Sequence, residues 1–252
     1  FLLTGKTKLY TNLQGGEAQL LENCLQALPV HLKKGKKKDT QNVLSLLITE
    51  KSGQLPTPES YTLSVTPSRI LIQATSGAGL FYGIQTLLQL SAASGESITV
   101  PAVEVQDTPR FAYRGLMLDV SRHFLSKDFV KKQIDALAYY KINRLHLHLT
   151  DAAGWRIEIK KYPRLTDFAA WRTDANWKKW WNGDRKYLRF DEPGASGGYY
   201  TQDDIREIVE YARQHFITVI PEIEMPAHSE EVLAAYPQLS CAGEPYKNAD
   251  FC

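Results

Sequence analysis

Between Arg114 and Trp155 the hydrophobic positions change period twice. Arg114–Asp119 is a short apolar run that closes on a carboxylate, and Leu145–Asp151 is a second run that closes the same way. Between them Val130, Ile134, Leu137 and Ala138 recur at helical spacing, with Ser126 placed to cap the helix start. The stretch reads as strand, helix, strand. Two strands joined through a helix lie parallel with a right-handed crossover, so Asp119 and Asp151 emerge at one edge of the sheet. In α/β folds of this kind that edge carries the chemistry.

Upstream, residues 1–105 predict a separate α+β domain. Ala18, Leu21, Leu25 and Leu28 give a helix over Glu17–Leu28, and Val43–Thr49, Tyr61–Thr66 and Arg69–Ala74 are strand-like, with Pro67-Ser68 as a tight turn. Gly79–Leu90 returns to a helical pattern through Leu80, Ile84, Leu87 and Leu88, which suggests a sheet with helices on one face. Nothing in this half has catalytic spacing, and it reads as a scaffold. Ser91–Glu96 is of linker type and Asp107-Thr108-Pro109 is a second break, so the boundary falls between them and residues 106–252 form the second domain.

Downstream, the irregular segment from Asp151 to about Tyr200 is too long to be an idle connection. Trp171, Trp177, Trp180 and Trp181 within it fit sugar stacking and core filling equally well. Thr201–Gln214 is the next helix, with a capping pair Thr201/Asp204 and a stripe of Ile205, Ile208, Val209 and Ala212. Ile217–Glu222 is a third strand, from which the chain leaves through Glu222, Glu224 and His228. Three strands that deliver polar groups to one edge fit the first part of a TIM (β/α)8 barrel.

Composition narrows the class. The 252 residues are 43% hydrophobic and 23% charged, which is globular, and allow one large domain or two ordinary ones. A net charge of +2 gives no reason to expect nucleic acid, and the run Lys33–Lys38 reads as a solvated loop. No apolar run approaches the roughly 20 residues that span a membrane. The chain opens at Phe1 without Met or a signal peptide, which suggests a mature or trimmed terminus. Among its three cysteines, Cys241 and Cys252 are spaced to close a small loop in an oxidising compartment, with Cys24 unpaired.

The candidate chemistry lies at the three strand ends: Asp119, Arg122 and His123 at the first, Asp151 at the second, and Glu222, Glu224 and His228 at the third. An arginine beside a carboxylate suits vicinal hydroxyls, since one donates and the other accepts. Each residue alone reads as an ion pair or strand-end hydrogen bond; their convergence favours a site. His146 and His148 share one strand face and suit two metal ligands, but regular alternation sets Asp151 on the opposite face. No Cys/His cluster supplies the remaining ligands, so packed, hydrogen-bonded histidines and no metal or other cofactor are expected.

The runs RGLMLDVSRHF, KINRLHLHLTDAAGWRIEIKKYP, GGYYTQDDIREIVEYA and VIPEIEMPAHS, in this order, resemble glycoside hydrolase family 20, the β-N-acetylhexosaminidases. GLFYGIQTLLQL is similar to that family's N-terminal α+β domain, so the resemblance covers nearly the whole chain. It implies an exo-acting, retaining enzyme that removes terminal β-linked N-acetylglucosamine or N-acetylgalactosamine from an oligosaccharide or glycoconjugate. The substrate's own acetamido oxygen is the nucleophile. By motif, Arg122 resembles the arginine that grips outer sugar hydroxyls, Asp151 and His228 the pair that supports the acid, and Glu224 and Trp155 further substrate contacts.

Two positions depart from the pattern. Ala227 stands where the family carries glycine, and would be strained if that backbone has positive φ; Ala152 stands where a second acid is common. The family's adjacent acid pair, in a run of the form H-x-G-G-D-E, has no counterpart in residues 1–252, where Asp191-Glu192 has the wrong context. The general acid and orienting aspartate are therefore expected downstream of residue 252, and the C-terminal part of the barrel with them. Residues 1–252 alone are then expected to be inactive, in a protein of periplasmic or secreted location. The rival readings are a non-catalytic glycan-binding protein and, further off, a metal-dependent barrel hydrolase using His146 and His148.

Overall fold

The computed structural model describes residues 1–50, 53, 55–94 and 97–241. They divide into two compact units, residues 1–113 with 139–141, and residues 114–138 with 142 onward.

The first unit is built on one mixed sheet. Its strands are β1 (Lys8–Thr11), β2 (Val43–Ile48), β3 (Tyr61–Val65), β4 (Arg69–Ala74) and β5 (Val103–Asp107), in the order β1-β2-β4-β3-β5. β1, β2 and β4 run parallel, and β3 is antiparallel to both its neighbours. Alternation explains the buried side: Tyr61, Leu63 and Val65 from β3 and Ile70, Ile72 and Ala74 from β4 are inside. Helix α1 (Gly15–Cys24) continues as a 3-10 turn over Leu25–Ala27 and lies beside α2 (Gly77–Leu90), which packs on β3 and β4. Two glycines let α2 approach so closely. A Cβ at Gly79 would lie 2.5 Å from the Ser60 carbonyl oxygen, and one at Gly83 2.4 Å from Ile72 Cγ2.

Two sequence expectations change here. Ser91–Glu96 is not simply a linker, because Ala92–Ser94 pairs antiparallel with Ser97–Thr99, which pairs with Leu2–Leu3. The basic run is not all loop either. Lys33–Lys34 adds a short strand to the outer side of β1, where exposed lysines suit an edge. The Cys241–Cys252 pairing falls on Cys252, outside the described residues.

The second unit holds β6 (Gly115–Asp119), α3 (Lys127–Tyr139), β7 (Arg144–His148), α4 (Gln202–Gln214) and β8 (Thr218–Glu222). The three strands form a parallel sheet in chain order, with Asp119 level with His148 and His148 level with Glu222. Val130, Ile134, Leu137 and Ala138 are the buried stripe of α3, and Ser126 Oγ accepts from Phe129 N at its start. α4 opens with a capping box in which Thr201 Oγ1 and Asp204 serve each other's backbone N–H. Its stripe is narrower than the pattern implies, for Ile208 and Ala212 are buried while Val209 is 45% exposed. Trp155, Leu165 and Ala169 from the segment between β7 and α4 form a satellite core with Ala235, which follows β8. No helix among the described residues is long and apolar enough to cross a membrane.

Candidate active site

The register of the parallel sheet sets three polar side chains in a row at the strand ends: Asp119, His148 and Glu222. Asp119 shapes the turn that follows it. Its Oδ1 accepts from the backbone N–H groups of Ser121 and Arg122, each at 3.0 Å, and its Oδ2 accepts from Arg122 Nη1 at 3.0 Å. That turn aims the Arg122 guanidinium back across the row. Its Nη1 also lies 2.7 Å from His148 Nε2, and its Nη2 lies 2.6 Å from Asp151 Oδ2.

Donor capacity fixes the tautomer of His148. Arginine only donates, so Nε2 accepts, and Nδ1 carries the hydrogen that it donates to Glu222 Oε2 at 2.7 Å. His146 Nε2 donates to the same oxygen at 2.5 Å. Partial burial pushes the Glu222 carboxyl up, but hydrogen bonds involving His148, Glu224 and His146 outweigh it and hold it below the usual glutamate range.

Asp151 corrects the alternation argument. A regular strand would set it on the face opposite His146 and His148, yet its Oδ2 lies 3.2 Å from His148 Nε2. The reason is that β7 stops at His148. Thr150–Asp151 leaves the parallel ladder and pairs antiparallel with Gly154–Trp155, which turns the carboxylate to the histidine side. Asp151 is 3% exposed.

The remaining expected residues are distributed unevenly. Glu224 reaches the centre: its backbone N–H donates to Thr150 Oγ1 at 2.8 Å, and its carboxylate, that of Glu222 and a His148 nitrogen lie within 4.8 Å of one another. His228 Nδ1 is 3.6 Å from Asp151 Oδ1, beyond hydrogen-bond reach, and its side chain is 56% exposed. Its backbone, not that of Ala227, takes the left-handed conformation, with φ 50°, so the substitution of alanine carries no such strain. His123 is exposed and makes no hydrogen bond among the described residues. Trp155 departs from its expected role. It is buried in the satellite core, and its indole N–H donates to Ile157 O, so it supports the site by packing rather than by facing a sugar. Asp191 and Glu192 are engaged locally with Arg189 on the surface.

His148, Glu222 and Glu224 have the spacing of a metal-ligand group. Both His148 nitrogens are already committed, one to Arg122 and one to Glu222, so an ion there would have to displace one of them.

Sequence reasoning missed three buried residues here, two of which hold the arrangement. Arg156 is fully buried and donates only to carbonyls: Val120 and Ser121 after β6, Ala153 after β7, and Ala170 and Gly198 in the long segment. Burial, with Arg172 nearby, pulls its guanidinium down to about 9. Arg172 donates to the carbonyls of Arg122 and Ala153 and to those of Asp174 and Ala175 in its own loop. The two arginines thus fasten both strand-end turns to the segment that follows them. Glu231, in the short helix α5 (Glu230–Ala235), is buried with neither carboxyl oxygen hydrogen-bonded among the described residues. Burial pushes it up to about 8, helped by the charges of Glu230 and Asp151 and opposed by Arg156.

Residues 111–251 match the glycosyl hydrolase family 20 catalytic domain, and residues 1–108 match domain 2 of the same family. The chain belongs to glycosyl hydrolase family 20. It is 48% identical over 196 residues to a β-hexosaminidase of Porphyromonas gingivalis, covering 75% of this chain and 23% of that protein. Against a β-hexosaminidase of Akkermansia muciniphila it is 37% identical over 213 residues, covering 84% and 40%. Among solved structures, the family 20 exo-β-N-acetylglucosaminidase of Vibrio harveyi in complex with N-acetylglucosamine superposes with a TM-score of 0.77 at 33% identity, over 95% of this chain and 36% of that one. The Streptomyces plicatus N-acetyl-β-hexosaminidase gives 0.78 at 34% identity, over 99% and 48%. The chain therefore spans between about a fifth and a half of the relatives it matches.

Proposed function

We propose that the chain is the N-terminal domain and the first three β/α units of the (β/α)8 barrel of an exo-β-N-acetylhexosaminidase. The observation that carries this reading is the placement of Arg122 within a family 20 match. Its Nη1 hydrogens serve Asp119 and His148 and one Nη2 hydrogen serves Asp151, while Nε–H and the second Nη2 hydrogen meet no acceptor among the described residues. A part-exposed arginine with two donors to spare, locked from behind by two carboxylates, suits the hydroxyls of a terminal sugar.

In this reading Arg122 grips the outer hydroxyls and fixes the sugar ring in the mouth of the sheet. Asp151 and His228 lie behind the general acid, a glutamate that the family carries on its fourth strand together with the aspartate that orients the acetamido group. Closing the gap between His228 and Asp151 would complete a relay that keeps the acid protonated until transfer. The acetamido oxygen of the substrate attacks the anomeric carbon, so no protein nucleophile is needed and configuration is retained. Glu222, held by His146 and His148, sets the floor of the pocket, with Glu224 beside it.

The test is hydrolysis of an aryl N-acetyl-β-glucosaminide. A longer chain that carries residues 1–252 ahead of the family's Asp-Glu pair should turn it over, and residues 1–252 alone should not. Turnover by residues 1–252 would contradict the assignment of the acid to a later strand.

A further inference from the structure

Of the tryptophans in the long segment, Trp180 has a plain structural role. It is 2% exposed, packs edge-on against Tyr187 and lies beside the Arg172 guanidinium. Tyr187 OH in turn donates to the carbonyl of Ala152, the neighbour of Asp151, which ties the segment to the site. Trp177 and Trp181 are different. They stand one helical turn apart in Trp177–Asn182, only partly buried, with ring centroids 6.1 Å apart and planes 28° from parallel. The Arg185 guanidinium lies 4.1 Å from the Trp181 centroid and extends the stack.

The charge around this stack is one-sided. Residues 177–187 contain Lys178, Lys179, Arg185 and Lys186 against a single acid, Asp184, in a chain whose formal net charge is only +2. The three lysines are exposed and make no ion pair among the described residues. Asp184 Oδ1 is taken up by Thr173 Oγ1 and the backbone N–H of Lys186.

We propose that Trp177, Trp181 and Arg185, flanked by Lys178, Lys179 and Lys186, form a docking surface for an anionic glycan, engaging the sugars beyond the terminal one. The aromatic stack meets the apolar face of a pyranose ring, and the cations meet a sulfate or carboxylate on it. Lysine suits this role, since a flexible point charge accepts an acidic group at several positions on a sugar. The inference rests on the hexosaminidase reading for the ligand being a glycan; the binding itself needs no turnover.

The test is a fluorescence titration of the chain with chitotriose and with 6-O-sulfated chitotriose. The sulfated sugar should bind about tenfold more tightly in about 20 mM salt, and the gap should close in about 0.5 M salt as screening sets in. The triple variant K178E/K179E/K186E should erase the preference at an unchanged unfolding temperature, and Trp177→Ala should weaken both sugars. Equal binding of the two sugars, or a preference that survives charge reversal, would overturn the proposal. So would inorganic polyphosphate binding as tightly as the sulfated sugar, which would mark a general polyanion patch. Loss of aryl-glycoside hydrolysis in the longer chain would sink the hexosaminidase reading without touching this titration.

Discussion

Arg122 Nη2 and Asp151 Oδ2 meet at 2.6 Å, joining the turn after β6 to the hairpin after β7. The pair is lopsided, since Asp151 is almost fully buried whereas the Arg122 side chain keeps about a third of its surface in solvent. A planar fork is what allows one side chain to hold Asp119, His148 and Asp151 together. Arg122→Lys keeps the charge and loses the fork. In the longer chain it should lower kcat/KM for an aryl N-acetyl-β-glucosaminide by about 100-fold, or about 2.7 kcal/mol of transition-state binding. Steady-state kinetics checks this, and a loss of less than about threefold would remove Arg122 from substrate binding.

Arg156 gives a prediction about stability. Its guanidinium is the common donor to five backbone carbonyls from three stretches of chain, and it makes no ion pair with a carboxylate among the described residues. Arg156→Met fills a similar volume but leaves those carbonyls unpaired, which should cost at least about 3 kcal/mol. Denaturant unfolding of residues 1–252 reads it. The same chain should lose ordered near-ultraviolet dichroism from the tryptophans, because Ala170 and Gly198 root the segment that holds them.

Glu231 makes stability depend on pH in the alkaline direction. The folded chain holds the Glu231 proton up to about 8, while an unfolded chain releases it near 4.5. Between those values the unfolded state has already lost the proton and the folded state has not, so stability is full below the window and falls as pH rises through it. Glu231→Gln removes the titration. Its unfolding free energy should match wild type near pH 4 and exceed it by roughly 3–5 kcal/mol at pH 9. Parallel curves across that range would show that Glu231 is ionised in the fold.

The sequence carried the strand ends but not the turns between them. Asp119 and Glu222 are legible because each closes an apolar run, and parallel pairing then levels both with His148. Regular alternation sets Asp151 on the wrong face because it holds only while the ladder lasts, and β7 ends at His148 without a glycine or proline to announce it. Arg156 and Arg172 escaped notice for another reason. Their partners are carbonyls, which any residue supplies, so no acid at a telling spacing marks them. Trp155 shows the converse hazard, since an aromatic next to a site motif proved to be core. In the first unit, Ala92–Ser94 has the composition of a linker yet forms a strand, because Ser97–Thr99 offers it a backbone partner.

The most direct test of the account is proton NMR of the first product formed from an aryl N-acetyl-β-glucosaminide by the longer chain. Substrate-assisted hydrolysis gives the β-anomer of N-acetylglucosamine first, with the α-anomer growing in only by mutarotation. Initial release of the α-anomer, or no release at all, would contradict the reading of the Arg122–Asp151 centre as part of a retaining hexosaminidase.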